Sequence, residues 1–425
     1  MTAFWKGAYN YVLLPLLYAA FKLGGLFNEK IKKGIDDRER LFEDLILNLS
    51  AIDRKKKLVW FHSSSMGEFE QAKPIIEKIK AETGANIVVT FFSPSGYRNS
   101  RKYPHASIIS YLPFDTETNA ARFLELVKPD IAVMMRYDIW PNFIWKLKEM
   151  NIPCFIVDAT MRANSSRKTP GIKGFHQTIY QNITGILTVS ESDLKNFMDF
   201  QVEPDRIKAV GDTRFDRVYE KSLAAKEKKL FKEGFFKGKK VVVLGSSWEA
   251  DEDVVLPALL KISEVSPDLM IIITPHEPTI QHLERIENEL SGKITSIRFS
   301  FLNNYNNERV IIIDSIGILL TLYCYADIAY VGGSFKQGIH NVLEPAVYGI
   351  PVIFGPKIEN SQEAQQLAQA GGGAVVRNKR EAYRRFRELT ANENKRKQMG
   401  AISYNFVHKN IGATKKILEE IERYL

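Results

Sequence analysis

Short apolar runs of strand length alternate with helix-length stretches twice along this chain, and no other feature constrains the fold as tightly. In the first half the runs are Leu58–Phe61, Ile87–Phe92, Ile108–Leu112, Ile131–Met135, Cys154–Asp158 and Gly185–Val189. Helical spacing intervenes at Glu70–Glu82, Asn119–Val127 and Pro141–Met150. The second half repeats the scheme with Val241–Leu244, Leu269–Thr274, Val310–Ile313, Ile328–Val331 and Pro351–Phe354. Apolar strands separated by helices specify a parallel, doubly wound sheet buried on both faces. A length of 425 residues is too great for one ordinary domain. The expected fold class is therefore α/β, as two facing Rossmann-like domains with a cleft between them.

The lysine-rich stretch 219–240 lacks strand character and reads as the linker. The expected division is a membrane-associating segment at 1–30, a first domain at 31–218, a second at 241–400 and a terminal helix at 401–425. Residues Phe4–Phe27 are aromatic and aliphatic, interrupted by Lys6, Pro15, Lys22 and Gly24-Gly25. That is long enough to span a bilayer, and it has neither the basic start nor the small-residue cleavage site of a secretory signal. Lys22, Lys30, Lys32, Lys33, Arg38 and Arg40 flank it and place the body of the protein on the cytoplasmic side, against anionic lipid. The competing reading is a hydrophobic helix docked on the protein's own core.

A net charge of +9 suits nucleic acid, an anionic membrane or a phosphorylated substrate. The chain has neither an aromatic-basic RNA-binding signature nor zinc-spaced Cys and His, which argues against nucleic acid. The two cysteines, Cys154 and Cys324, lie in apolar surroundings and are expected as buried free thiols. No carboxylate cluster implies a metal.

Chemistry is expected where strands end. Ser65 and Glu68 stand in S-x-x-E spacing after the first strand, the pattern of a capping box. Gly67 thins the backbone cover beside Glu68, and a glutamate in a βα loop is also placed to take a proton from a hydroxyl. Both readings stand. Arg136 and Asp138 follow another strand, and Arg162 and Arg167 a third, together forming a basic rim suited to a phosphorylated acceptor. In the second half Ser246 and Ser247 are either helix caps or phosphate ligands, and His276 ends the next strand. Ala326–Pro356 joins a strand end to Gly332-Gly333-Ser334, whose N–H groups are expected to be free for a phosphate. Asn341 is set to cap a following helix with Glu344 three residues on.

These residues resemble the 3-deoxy-D-manno-octulosonic acid (Kdo) transferases of lipopolysaccharide assembly, which have the GT-B glycosyltransferase fold. The match includes Gly67-Glu68-Phe69, Ile139-Trp140-Pro141-Asn142, Asp314-Ser315-Ile316-Gly317, Asp327, Gly332–Ser334, His340–Pro345, Ile350–Pro356 and Asn360. Arg136 and Asp138 stand where the family usually has Glu, Trp248 where it has His, and Pro275-His276-Glu277-Pro278 where it has Pro-Arg-His-Pro. The resemblance implies inverting transfer of Kdo from CMP-Kdo to a lipid A precursor at the cytoplasmic face of the inner membrane, without cofactor or metal. It implies Glu68 as base. The donor would be bound by Ser246, Ser247, His276, Gly332, Gly333, Ser334, His340, Asn341, Glu344 and Asn360, and the acceptor by Ser65, Gly67, Arg136, Asp138, Arg162 and Arg167. The other classes compatible with the pattern are a GT-B-fold nucleotide-sugar epimerase and a non-catalytic nucleotide-sugar-binding membrane protein.

Overall fold

Each half of the chain builds its own seven-stranded parallel sheet. The structure is a computed structural model describing residues 2–425, and it divides into Met1–Arg217 with Gly412–Leu425, and Val218–Ile411. In the first unit β1 (Leu58–Ser63), β2 (Asn86–Phe91), β3 (Ile108–Tyr111), β4 (Ile131–Met135), β5 (Cys154–Ala159), β6 (Gly185–Thr188) and β7 (Ile207–Ala209) lie in the order β3-β2-β1-β4-β5-β6-β7. In the second, β8 (Lys240–Ser247), β9 (Leu269–Pro275), β10 (Ser296–Arg298), β11 (Val310–Ile312), β12 (Ile328–Val331), β13 (Val352–Phe354) and β14 (Gly373–Val375) run β10-β11-β9-β8-β12-β13-β14. The central strands are buried along their whole length because they are apolar on both faces. Chain direction through each sheet reverses once, between β1 and β4 and between β8 and β12. Open α/β sheets bind ligands beyond the strand ends at such points.

Three elements depart from the sequence reading. The stretch 219–240 is not a bare connector: the helix Thr213–Lys226 runs into it, and Phe231 packs with Phe235 and Phe236 against the second unit's core. The chain's last segment crosses back to the first unit, where Ile417 and Ile421 are fully buried. Asp216 fastens that return by accepting from the N–H groups of Gly412 and Thr414, each at 2.6 Å. Cys154 is buried as expected, with its thiol pushed up by desolvation, whereas Cys324, in the short 3-10 turn Tyr323–Tyr325, is exposed.

The N-terminal helix, Thr2–Phe27, is the one helix among the described residues long and apolar enough to cross a membrane. One side is docked. Trp5 and Tyr9 pack on Phe175, Tyr18 and Phe21 on Phe114, and Lys6 pairs with Glu149 at 2.9 Å. The other side leaves Tyr11, Leu16, Leu26 and Phe27 between 64% and 89% exposed. A helix pinned along one face with an open apolar face is compatible with membrane association. Arg38 does not belong to its basic flank. It is buried, donating to the carbonyls of Gly34, Phe92 and Leu112 at 2.6 to 3.0 Å, and burial pushes it down to about 10.

Candidate active site

At the β1/β4 reversal the sequence after β1 turns directly into the helix Met66–Thr83, which brings Glu68 to its third position. Glu68 Oε2 accepts from the N–H groups of Ser64 and Ser65, at 2.6 and 3.1 Å, and these bonds complete the capping box. They occupy one oxygen; Oε1 accepts from no group among the described residues. Burial raises the Glu68 carboxyl above its ordinary range and the nearby Asp138 carboxylate raises it further, against the opposing pull of the Ser65 and Ser64 N–H groups and of His62. A Cβ at Gly67 would meet nothing nearer than Ser65 Oγ at 3.9 Å, so the backbone just before Glu68 is uncrowded.

His62 is fully buried one layer behind. Thr90 Oγ1 accepts the Trp60 indole N–H at 2.9 Å and lies 2.9 Å from His62 Nδ1. On the other side of the ring, Nε2 is 2.7 Å from Asp138 Oδ2. The Trp140 indole N–H lies 3.1 Å from His62 Nε2 and 3.4 Å from the same Asp138 oxygen. Arg136 ends β4 with φ +60° and a buried Nε that has no partner. With its amide turned by its donors, Gln71 accepts from Arg136 Nη1 at 3.3 Å and Arg214 Nε at 3.0 Å. Asp158 ends β5 at φ +50°, fully buried, and burial together with Asp212 pushes it up to about 7. Non-glycine residues held at positive φ at neighbouring strand ends are a form of strain that gathers at functional sites.

The β8/β12 reversal is organised by Asp251. Its Oδ2 accepts from the N–H groups of Gly333 at 2.8 Å and Trp248 at 3.0 Å, and its Oδ1 from the Tyr330 hydroxyl at 2.8 Å. Gly332 N–H donates to Gly245 O at 2.9 Å. The expectation that Gly332 and Gly333 offer free N–H groups is thus corrected. These glycines are there for close approach: a Cβ at Gly332 would stand 2.2 Å from Ser246 O, and one at Gly333, with φ +94°, 2.3 Å from Gly338 O. Within Gly332–Gly338 the N–H groups that find no acceptor among the described residues are those of Ser334, Phe335 and Gln337. Above the loop, the Trp248, His276 and His340 rings stack, with His276 and His340 4.3 Å apart and Trp248 Nε1 donating to His340 Nε2 at 3.0 Å. Burial, then the neighbouring His276, pushes His340 down to about 4, so it is neutral and accepts.

Comparison with known proteins points to one family. The sequence profile of the 3-deoxy-D-manno-octulosonic-acid transferase (kdotransferase) family matches residues 38–217. The curated Kdo transferase of Haemophilus influenzae is 27% identical over 378 residues, covering 86% of this chain and 87% of the relative. That of Aquifex aeolicus is 28% identical over 342 residues, covering 79% and 86%. These likenesses support a Kdo transferase, and the chain is a glycosyltransferase of lipopolysaccharide synthesis. The fold likeness extends to the UDP-GlcNAc 2-epimerase of Neisseria meningitidis, with a TM-score of 0.61 at 15% identity over 86% of this chain and all of that one, and at that identity it speaks for the GT-B fold alone.

Several of the residues singled out from the sequence have their side chains engaged within the protein. Ser247 is buried and its hydroxyl donates to Glu252 at 2.7 Å, within an ion cluster completed by His282 and Arg285. Ser334 Oγ is taken by the Gly355 N–H at 2.6 Å. Asn360 uses both ends of its amide on the Ile339 backbone, at 3.2 Å each, and so holds the loop. Asn341 caps the N–H of Leu343 and donates to Glu344 at 3.2 Å, while burial raises the Glu344 carboxyl. Ser246, at φ +52°, and His276 border the open side. In the first unit Arg167 reaches the Tyr137 carbonyl at 3.1 Å and so joins the β4 end, but Arg162 is exposed and makes no side-chain bond there. His62, Gln71, Arg214 and Asp251 were not singled out. They are ordinary polar residues whose role comes from strand order.

Proposed function

We propose that this enzyme transfers Kdo from CMP-Kdo to a lipid A precursor with inversion, at the cytoplasmic face of the inner membrane. Glu68 is the general base. The observation that carries this reading is the division of labour within one carboxylate: Oε2 is fixed by two backbone N–H groups, while Oε1 accepts from no group among the described residues, and burial and Asp138 raise the carboxyl's basicity. A base held in one orientation and of raised pKa suits removal of a proton from a sugar hydroxyl. As the acceptor oxygen bonds to the anomeric carbon, the bond to CMP breaks and the phosphate leaves with the electron pair.

The second unit holds the donor. The unused N–H groups of Ser334 and Phe335 serve the departing phosphate, Glu344 receives ribose hydroxyls, and neutral His340 with His276 lines the approach. Arg136, braced by Gln71 beside Arg214, faces a phosphate of the acceptor, and Arg167 extends that cationic rim. The open apolar face of the N-terminal helix suits a lipid acceptor and has no use in an epimerase of soluble nucleotide sugars.

The test is incubation with CMP-Kdo and a tetra-acylated lipid A precursor, followed by mass spectrometry of the lipid. The expected product is heavier by one or more Kdo residues, with CMP released in equal amount. An unchanged lipid mass with no CMP release rejects the assignment. Replacing Leu16 and Leu26 by Ser is expected to abolish co-sedimentation with anionic vesicles; unchanged sedimentation rejects membrane attachment through this face.

A further inference from the structure

The Trp140-Pro141-Asn142 segment faces two ways. Toward Glu68, the Trp140 indole donates to the His62–Asp138 pair. Toward the N-terminal helix, Asn142 and Asn10 exchange side-chain hydrogen bonds, at 2.7 Å from Asn142 Nδ2 and 3.1 Å from Asn10 Nδ2. Asp115 lies between these partners, wholly buried. Its carboxylate accepts the Tyr9 hydroxyl at 2.7 Å and the backbone N–H groups of Asn142 and Phe143 at 3.2 Å each, and its carbonyl accepts from Asn142 Nδ2 at 2.5 Å.

The reason for this arrangement is visible in the helix Pro141–Glu149. Its capping residue is Trp140, whose side chain has no acceptor to offer, so the first N–H groups would be unsatisfied in the protein interior. Asp115 caps them from a distant loop. Tyr9 is the one side chain donating to that carboxylate, and its ring is itself wedged against Trp145 at 5.9 Å and Phe175 at 5.6 Å. Lys6 reaches Glu149 at the far end of the same helix. The N-terminal helix therefore grips both ends of the element that delivers Trp140 to Asp138.

We propose that the N-terminal helix is a working part of the active site as well as a membrane contact: Tyr9, Asp115 and Asn142 are positioning residues that fix Trp140 against Asp138 and thereby set the surroundings of Glu68. The inference rests on the assignment of Glu68 as base. It predicts that loosening the latch impairs turnover even where no membrane is involved.

The test compares the wild-type full chain with Tyr9→Phe and Asp115→Asn, using CMP-Kdo and a water-soluble, short-chain acceptor without vesicles or detergent. For Tyr9→Phe, kcat is expected to fall about tenfold, the size of one lost hydrogen bond to a charged group, with the KM for CMP-Kdo within about twofold of wild type. Asp115→Asn is expected to fall further. Hydrogen exchange at the Asn142 and Phe143 amides is expected to accelerate by at least about tenfold in both. Val265→Ser, at an exposed position of the second unit outside both sites, is expected to keep wild-type kcat on the soluble acceptor. Either an unchanged kcat or unchanged exchange at Asn142 and Phe143 in Tyr9→Phe overturns the proposal. Exchange is read without turnover, so a wild-type protein inactive on every acceptor would count against the functional assignment, while the exchange measurement still decides the latch.

Discussion

Replacing Glu68 by Gln is expected to lower kcat by about 10²–10⁴-fold, the usual worth of a general base, while CMP binding is retained. Stability is expected to change by less than about 1 kcal/mol. The separation is possible because a glutamine at the third helical position also completes a capping box, its amide oxygen accepting from Ser64 and Ser65 as the carboxylate does. The sign of the remaining change follows from the raised pKa. A carboxyl whose folded pKa lies above its unfolded value stabilises the fold at low pH and loses that contribution as pH rises through the folded value. At neutral pH the glutamine therefore removes a buried charge while losing a charge-assisted cap, and the two effects oppose. Activity runs the other way: only ionised Glu68 accepts a proton, so the rate falls as pH drops through the raised value. Burial is the larger cause and Asp138 the second, so Asp138→Asn is expected to move this acid limb to lower pH without abolishing it. A Glu68→Gln enzyme with wild-type kcat would leave the residue as a cap and nothing more.

The sheets were legible because a strand buried on both faces has to be apolar throughout, as Val59–Phe61 and Val241–Leu244 are. The edges were not. β7, β10 and β14 are three-residue strands with polar neighbours, and Ile207-Lys208-Ala209 has no pattern that distinguishes it from a loop. Strand order is a further quantity absent from any local pattern. It brings Asp138 to Glu68 across β1 and β4, and Asp251 to Gly333 across β8 and β12, yet each pair is about as far apart in sequence as two unrelated loops. The glycine loop illustrates the same limit. Gly-Gly-Ser reads as exposed backbone donors, and it turns out that neighbouring strands claim the Gly332 and Gly333 N–H groups first. The N-terminal helix left two readings open because the sequence marks hydrophobicity around the whole helix but not which side finds Trp145, Phe175 and Phe114; the structure docks one side and leaves the other exposed.

Gly332→Ala is expected to destabilise the second unit by about 3 kcal/mol, at the upper end of overpacking costs, and to abolish measurable CMP binding. The added methyl would sit 2.2 Å from Ser246 O and 2.7 Å from Ser247 Cα. Both obstacles are main chain, so no rotamer change relieves them. Relief requires the ends of β8 and β12 to separate, which breaks the 2.9 Å bond from Gly332 N–H to Gly245 O and moves the Gly333 N–H away from Asp251. Ser246 cannot yield easily, being already held at φ +52°. Gly67→Ala is the matched comparison. Its methyl meets only Ser65 Oγ at 3.9 Å, and in a helix alanine is favoured over glycine by about 0.8–1 kcal/mol. Thermal unfolding is thus expected to separate two glycines of one family signature in opposite directions, lower for Gly332→Ala and level or higher for Gly67→Ala, with CMP titration calorimetry reading the first. If Gly332→Ala melts and binds CMP like wild type, the β8 and β12 ends are not the rigid wall that the donor reading requires.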